Sequence, residues 1–264
     1  MKREKLLAGL DAGHINTKAV IIRGREILAY QTVPTGFDVA AAARKALHDA
    51  LESAGIAPGE LEGILSTGIF RDMLKEPTLH VTGTVPEYVA EAKGALFHYK
   101  DSRTVIDSGG NIQKAVRYDL NGQILDAVQN DKCADGLGIF YTTMAKTLGL
   151  DEQEMSEAAL KSTGNLSIAI QCALSAQSEA IDLMCRGSDI PDVADAVLRF
   201  IAERIADMCS SMTLTETIVA AGGLAGSQAL IGHLAGFINQ DVTVLPFPEY
   251  AGAIGAAFCY EDLK

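Results

Sequence analysis

"LDAGHINTK" (residues 10–18) and "IDSGGNIQK" (residues 106–114) are the two stretches on which the fold is read. Each sets an aspartate, Asp11 or Asp107, at the end of an apolar β-rich run and follows it with a glycine turn and a second β-rich run. The first carries Gly13, Thr17 and Lys18, the second Gly109 and Gly110. Glycine lets backbone N–H groups come close to an anion. An aspartate at a strand end can hold Mg²⁺, directly or through water. A third turn, "AAGGLAGS" (220–227), brings Gly222 and Gly223 in after a late strand. One Asp-Gly turn is common in hairpins. Two in equivalent positions with a Gly-Gly loop downstream predict a phosphate clamp.

Around these turns one pattern runs twice. "KLLAGLDAG", "TKAVIIRG" and "EILAYQTVP" read as a three-strand meander. "FDVAAAARKALHDALESAGI" has apolar residues at helical spacing from Val39 to Leu51 and closes at Gly55. A strand, "LEGILSTG", and a helix, "VPEYVAEAKGALFHY", follow. The pattern restarts at "RTVIDSGGNIQKAVRYDLNGQILDAVQND" and continues with helices near 137–149, 152–161, 173–186 and 191–211. The strands "ETIVAAGG" and "DVTVLP" and a closing helix, "YAGAIGAAFCYEDL", complete it. The expectation is an α/β protein of two halves, residues 1–100 and 101–264, with a nucleotide cleft between them. The three turns resemble the phosphate and adenosine loops of the actin, hexokinase and heat-shock chaperone superfamily, the ASKHA or ribonuclease H-like fold. GxxxxGK[ST] and GxGxxG are both absent from the sequence, which leaves P-loop and Rossmann readings without support.

Composition narrows the partners. The formal net charge of −12 and the absence of Trp argue against nucleic acid or an anionic membrane as the main partner. The apolar stretch of "MKREKLLAGLDAGH" is cut by Asp11 and is too short for a signal-peptide core. No run approaches the roughly 18–20 apolar residues of a membrane helix. A cytoplasmic location is expected.

Five cysteines, at 133, 172, 185, 209 and 259, are widely spaced and odd in number, which is not a disulfide framework. Cys185, Cys209 and Cys259 sit in apolar helical stretches and read as small buried hydrophobes. Cys133, in "NDKCADGLGIF", and Cys172, in "IAIQCALSAQSEAI", each precede a helix, where the dipole favours a thiolate or an anionic ligand. A nucleophile would want a histidine partner. His14, His48, His80, His98 and His233 are scattered, and none is placed near either thiol by the sequence. An iron–sulfur cluster usually needs four cysteines, so two per chain suffice only if two chains share one cluster across a symmetry axis.

The chain resembles, over essentially its whole length, the activators of 2-hydroxyacyl-CoA dehydratases and the ATPase subunits of benzoyl-CoA reductases, the BadF/BadG/BcrA/BcrD ATPase family. The resemblance runs through "GLDAGHINTKAVII", "LSTGIFRD", "EYVAEAKGA", "TVIDSGGNIQKAV", "NDKCADGLGIF", "CALSAQSEAI", "VAAGGLAGS" and "YAGAIGAAF". It implies an ATP-hydrolysing redox activator with Mg²⁺ near Asp11 and Asp107. Gly13, Thr17, Lys18, Gly109, Gly110, Gly222 and Gly223 would hold the nucleotide. It also implies that Cys133 and Cys172 ligate one 4Fe–4S cluster per dimer, formed with a second copy or a paralogous subunit. A ferredoxin or flavodoxin would supply the electron, and an acyl-CoA dehydratase or reductase would receive it. His14 and Ile15 follow Gly13 where the family usually has Ser-Thr, and Asn111 and Ile112 follow the second glycine pair where it often has Gln-Asp. A small-molecule kinase or a regulatory ATPase on the same fold, without a cluster, is the alternative.

Overall fold

The computed structural model describes residues 4–130, 136–170, 172–214 and 217–263. It divides into two compact units. One comprises Met1–Ser102, Tyr118–Leu125 and Leu245–Lys264, the other Arg103–Arg117 and Asp126–Val244. A single cut after residue 100 does not describe this division, because the end of the chain returns to the first unit.

The first unit begins with β1 (Leu6–Ala12), β2 (Asn16–Arg23) and β3 (Glu26–Pro34), followed by α1 (Val39–Ala54). Asp38 caps α1 by accepting the Ala41 N–H, and Gly55 closes it in the left-handed conformation. Then come β4 (Gly63–Thr67), the short β5 (Gly83–Thr84) and α2 (Glu87–His98). The sheet runs β3-β2-β1-β4-β5, antiparallel through the meander and parallel from β1 to β5. Strand alternation sorts β1 between two cores. Leu6, Ala8 and Leu10 pack in the cluster that contains the buried face of α1. Leu7 packs in the other, with residues of α2 and of the closing helix.

The second unit repeats this order. β6 (Thr104–Ser108), β7 (Gln113–Tyr118) and β8 (Ile124–Gln129) form its meander, and β9 (Ile218–Ala221) and β10 (Val242–Val244) complete a sheet ordered β10-β9-β6-β7-β8. Again the central strand is antiparallel to one neighbour and parallel to the other. Between β8 and β9 lie α3 (Leu137–Thr147), α4 (Glu152–Ala159), α5 (Ala173–Cys185) and α6 (Ile190–Cys209), and α7 (Gln228–Ile238) follows β9. The apolar stripe of α6, from Val193 to Cys209, is the spine of this unit's core.

The closing helix α8 (Ala251–Phe258) packs on the first unit through missing side chains. A Cβ on Gly9 would stand 1.8 Å from the Ala253 carbonyl oxygen, and one on Gly255 1.7 Å from that of Ala90. Only glycine permits such contact of helix backbone with β1 and with α2. The small residues of "YAGAIGAAF" are therefore a docking face for the N-terminal sheet.

Candidate functional site

Asp11 is the sixth residue of β1 and lies opposite Lys18 of β2, whose Nζ is 3.7 Å from its carboxylate. Asp107 of β6 lies opposite Lys114 of β7 at 3.6 Å. The two hairpins thus carry the same aspartate–lysine pair in the same register. Lys114 is the more enclosed cation, with 5% of its surface exposed. Sequence reasoning passed over Lys114, although a lysine seven residues after the aspartate closes both opening stretches.

Backbone crowds the Asp11 carboxylate. A Cβ on Gly68, which follows β4 with φ +93°, would come within 2.6 Å of Asp11 Oδ1, and one on Gly252 within 3.2 Å of Oδ2. Beside them the buried Thr67 hydroxyl has no hydrogen-bond partner among the described residues. The turn itself is tied down. Gly13 N–H donates to the Asn16 carbonyl, and the Thr35 hydroxyl donates to the Gly13 carbonyl. Thr17 is buried, its hydroxyl 2.9 Å from that of Thr35. It braces the turn by donating to Thr35, which itself donates to Gly13 O, and its oxygen keeps its acceptor lone pairs. His14 and Ile15 are exposed, and the His14 ring meets Phe70 edge-on at 5.4 Å.

The second turn is the seat of α3. Gly110 O accepts the Ile139 N–H at 3.0 Å, and Asn111 O accepts the Gly136 N–H at 2.8 Å. A Cβ on Gly138 would meet Gly109 O and Gly110 Cα at 2.6 Å. Gln113 donates to Gly109 O, while its own buried Oε1 has no partner among the described residues. Each Asp turn therefore has a buried polar atom beside it that the described residues leave unsatisfied, which in a folded protein calls for an explanation.

Gly222 brings the third loop against β6. With φ +86°, its Cβ position lies 2.3 Å from the Ser108 carbonyl oxygen, one residue from Asp107. Gly223 opens the turn Gly223–Gly226, and Ser227 then caps α7 by accepting the Leu230 N–H. Next to this turn is a cavity of about 370 Å³, lined by Tyr141, Glu152, Ser156, Gly223, Ser227 and Gln228 among others. The Tyr141 hydroxyl donates to the Glu152 carbonyl, and burial pushes its pKa up to about 12. The neighbouring Ser227 hydroxyl opposes that shift. Ser156 and Ser227 meet hydroxyl to hydroxyl at 3.0 Å. The cavity offers polar side chains and bare glycine backbone.

Of the two cysteines singled out as ligands, Cys133 lies outside the described residues. Cys172 is exposed, and it is the N-cap residue of α5. The expectation of a thiol at a helix N-terminus holds there. Cys209 and Cys259 are buried, as their apolar surroundings predict, and burial pushes both thiols up to about 12. Cys185 departs from its expected burial. It is the last residue of α5 and is exposed, because the helix ends there and the chain leaves through Arg186 and Gly187.

A family model described as the BadF/BadG/BcrA/BcrD ATPase family matches residues 8–259. The chain belongs to this family. It is 32% identical to the activator of lactoyl-CoA dehydratase of Anaerotignum propionicum, covering 96% of each chain. It is 30% identical to the (R)-2-hydroxyglutaryl-CoA dehydratase activating ATPase of Acidaminococcus fermentans, covering 94% of each. Among solved structures, the activator of the 2-hydroxyisocaproyl-CoA dehydratase from Clostridium difficile, with bound ADPNP, superposes with a TM-score of 0.90 at 28% identity. That match covers 98% of this chain and 95% of the other. A ROK family glucokinase from Streptomyces griseus shares the fold at 14% identity and a TM-score of 0.63, covering 97% and 99%. The α/β architecture of two like sheets is therefore a fold this chain shares with that kinase. Among the described residues of this family member, no helix is long and apolar enough to cross a membrane.

Proposed function

We propose that this family member is an ATP-driven electron-transfer activator. ATP·Mg²⁺ binding and hydrolysis drive delivery of a low-potential electron to an acyl-CoA dehydratase or reductase, through a 4Fe–4S cluster shared by two chains. The observation that carries the nucleotide part is the repeated hairpin, with Asp11 held by Lys18 and Asp107 by Lys114 beside bare glycine backbone. Among the described residues the buried Thr67 hydroxyl and Gln113 Oε1 have no hydrogen-bond partner at the same turns, which fits residues that complete their bonding on a ligand.

In this reading Asp11 and Asp107 orient Mg²⁺ and its water, while Lys18 and Lys114 set the carboxylates and offset phosphate charge. Gly222 and Gly223 take the nucleoside side, and the Tyr141 hydroxyl, which donates to the Glu152 carbonyl, keeps its oxygen as an acceptor in the cavity wall. The Gly109–Asn111 turn holds the start of α3 by two backbone hydrogen bonds. A shift of that turn with nucleotide state would move the helix that directly follows the Cys133 segment. Cys172, exposed at the head of α5, suits a thiolate ligand that a second chain must complement. A cluster bound there would supply one-electron chemistry. A reduced ferredoxin or flavodoxin fits as donor.

Anaerobic purification followed by cluster reconstitution tests the reading. Expected are a brown dimer with about four irons, and ATP hydrolysis that is stimulated by the partner enzyme. A preparation that hydrolyses ATP yet stays colourless and iron-free after reconstitution would overturn the redox part and leave the kinase or regulatory ATPase.

A further inference from the structure

The chain approaching Cys172 is fastened along its length by side chains from two helices. Asp192 of α6 accepts from the Ser162 hydroxyl and from the N–H groups of Thr163 and Gly164. Arg199 donates to Asn165, and Ile168 is buried in the core. The last fastening before the cysteine is Glu179. Its carboxylate accepts the Ala169 N–H on both oxygens at 3.0 Å, and Oε2 also accepts the Ile170 N–H at 3.1 Å. Glu179 lies seven residues into the helix that Cys172 caps, about 10 Å along its axis. The segment that ends at Ile170 therefore lies back along α5. On the far side, Cys172 O accepts the Ala176 N–H as the first helical bond.

We infer that Glu179 is a positioning residue for Cys172: it clamps residues 169 and 170 to α5 and so fixes where the exposed thiol is presented. This rests on the reading of Cys172 as a cluster ligand and adds a residue that acts through it. A cluster ligand contributes only if its sulfur is held in place before the metal arrives, because a loose ligand spends binding energy on ordering itself. Helical bonds order one side of Cys172. Glu179 orders the other without a residue of regular secondary structure there.

One feature separates hydrogen bonding from charge. Oε2 takes both N–H groups, so in Glu179→Gln an amide oxygen in its place keeps one bond to each and gives up only the second Ala169 contact, at Oε1. Glu179→Ala removes it. Arg199→Ala loosens the same strand at Asn165, upstream of the clamp, and serves as the control for general loosening. The readouts are hydrogen exchange at the Ala169 and Ile170 amides, iodoacetamide alkylation of Cys172 in the cluster-free protein, and loss of iron from the reconstituted protein to bathophenanthroline.

For Glu179→Ala all three rates are expected to rise about tenfold, the effect of losing one to two hydrogen bonds. Glu179→Gln and Arg199→Ala should stay within about twofold of the parent. The proposal is overturned if Glu179→Ala exchanges and reacts like the parent, or if Arg199→Ala produces the same acceleration. If the parent takes up no iron, the cluster reading falls. Exchange and alkylation then still decide whether Glu179 positions the thiol.

Discussion

Lys114 Nζ stands 3.6 Å from the Asp107 carboxylate across β6 and β7, and Lys18 repeats the relationship with Asp11 at 3.7 Å. Lys114 is nearly enclosed, whereas 17% of the Lys18 side chain is exposed. A charged lysine contact to a phosphate contributes about 1.5–3 kcal/mol, and exposure discounts it. Lys114→Met is therefore expected to weaken ATP binding about tenfold to a hundredfold and Lys18→Met less, both measured by calorimetric titration. Equal affinity in Lys114→Met and the parent would remove Lys114 from the nucleotide site.

Gly222 and Gly223 are adjacent but answer different questions. Ala at 222 puts a Cβ against the Ser108 carbonyl in a positive-φ extended conformation that is essentially glycine's alone, at a cost of at least about 2 kcal/mol. Ala at 223 meets nothing within 4 Å, yet its methyl would stand at a residue that lines the cavity. Gly222→Ala should lower the melting temperature by several degrees. Gly223→Ala should melt like the parent and lose nucleotide affinity. A Gly223→Ala protein with parental affinity would show that the nucleoside does not approach this backbone.

The buried thiols and Tyr141 give a direction to the pH dependence. Burial raises Cys209 and Cys259 from 9.0 to about 12 and Tyr141 from 10.0 to about 12. The folded state therefore keeps protons that the unfolded chain releases. The stabilisation is complete below pH 9 and is lost as pH rises from there towards 12, by up to about 1.4 kcal/mol per pH unit for each group. Urea midpoints measured from pH 8 to 11 should fall. The fall should be shallower in Cys209→Ala, and an unchanged slope in that variant would contradict the burial of its thiol.

The strand-end aspartates and the glycine turns were legible because Asp-x-Gly is local chemistry. Lys114 is equally local, since it follows Asp107 by the same seven residues that separate Lys18 from Asp11. The bond between Thr17 and Thr35, the residue after β3, was not legible, because only the folded sheet brings the two hydroxyls together. The membership of α8 was hidden in the same way, since close approach of Gly9 to Ala253 joins opposite ends of the chain. Cys185 shows the limit of apolar context. "LMC" reads as core, but its last residue falls where α5 ends.

The two exposed cysteines of α5 make the most direct test of the metal reading, because they share a helix and differ in their place on it. Cys172 heads the helix after a fastened strand, and Cys185 closes it. Both should react with iodoacetamide in the cluster-free protein, while buried Cys209 and Cys259 should not. After reconstitution only Cys172 should become protected. Cys172→Ser should abolish the visible absorption and the bound iron and shift the dimer towards monomer in sedimentation. Cys185→Ser should retain colour, iron and dimer. If Cys172→Ser keeps its iron, or Cys185→Ser loses it, the thiol at the head of α5 is not the ligand.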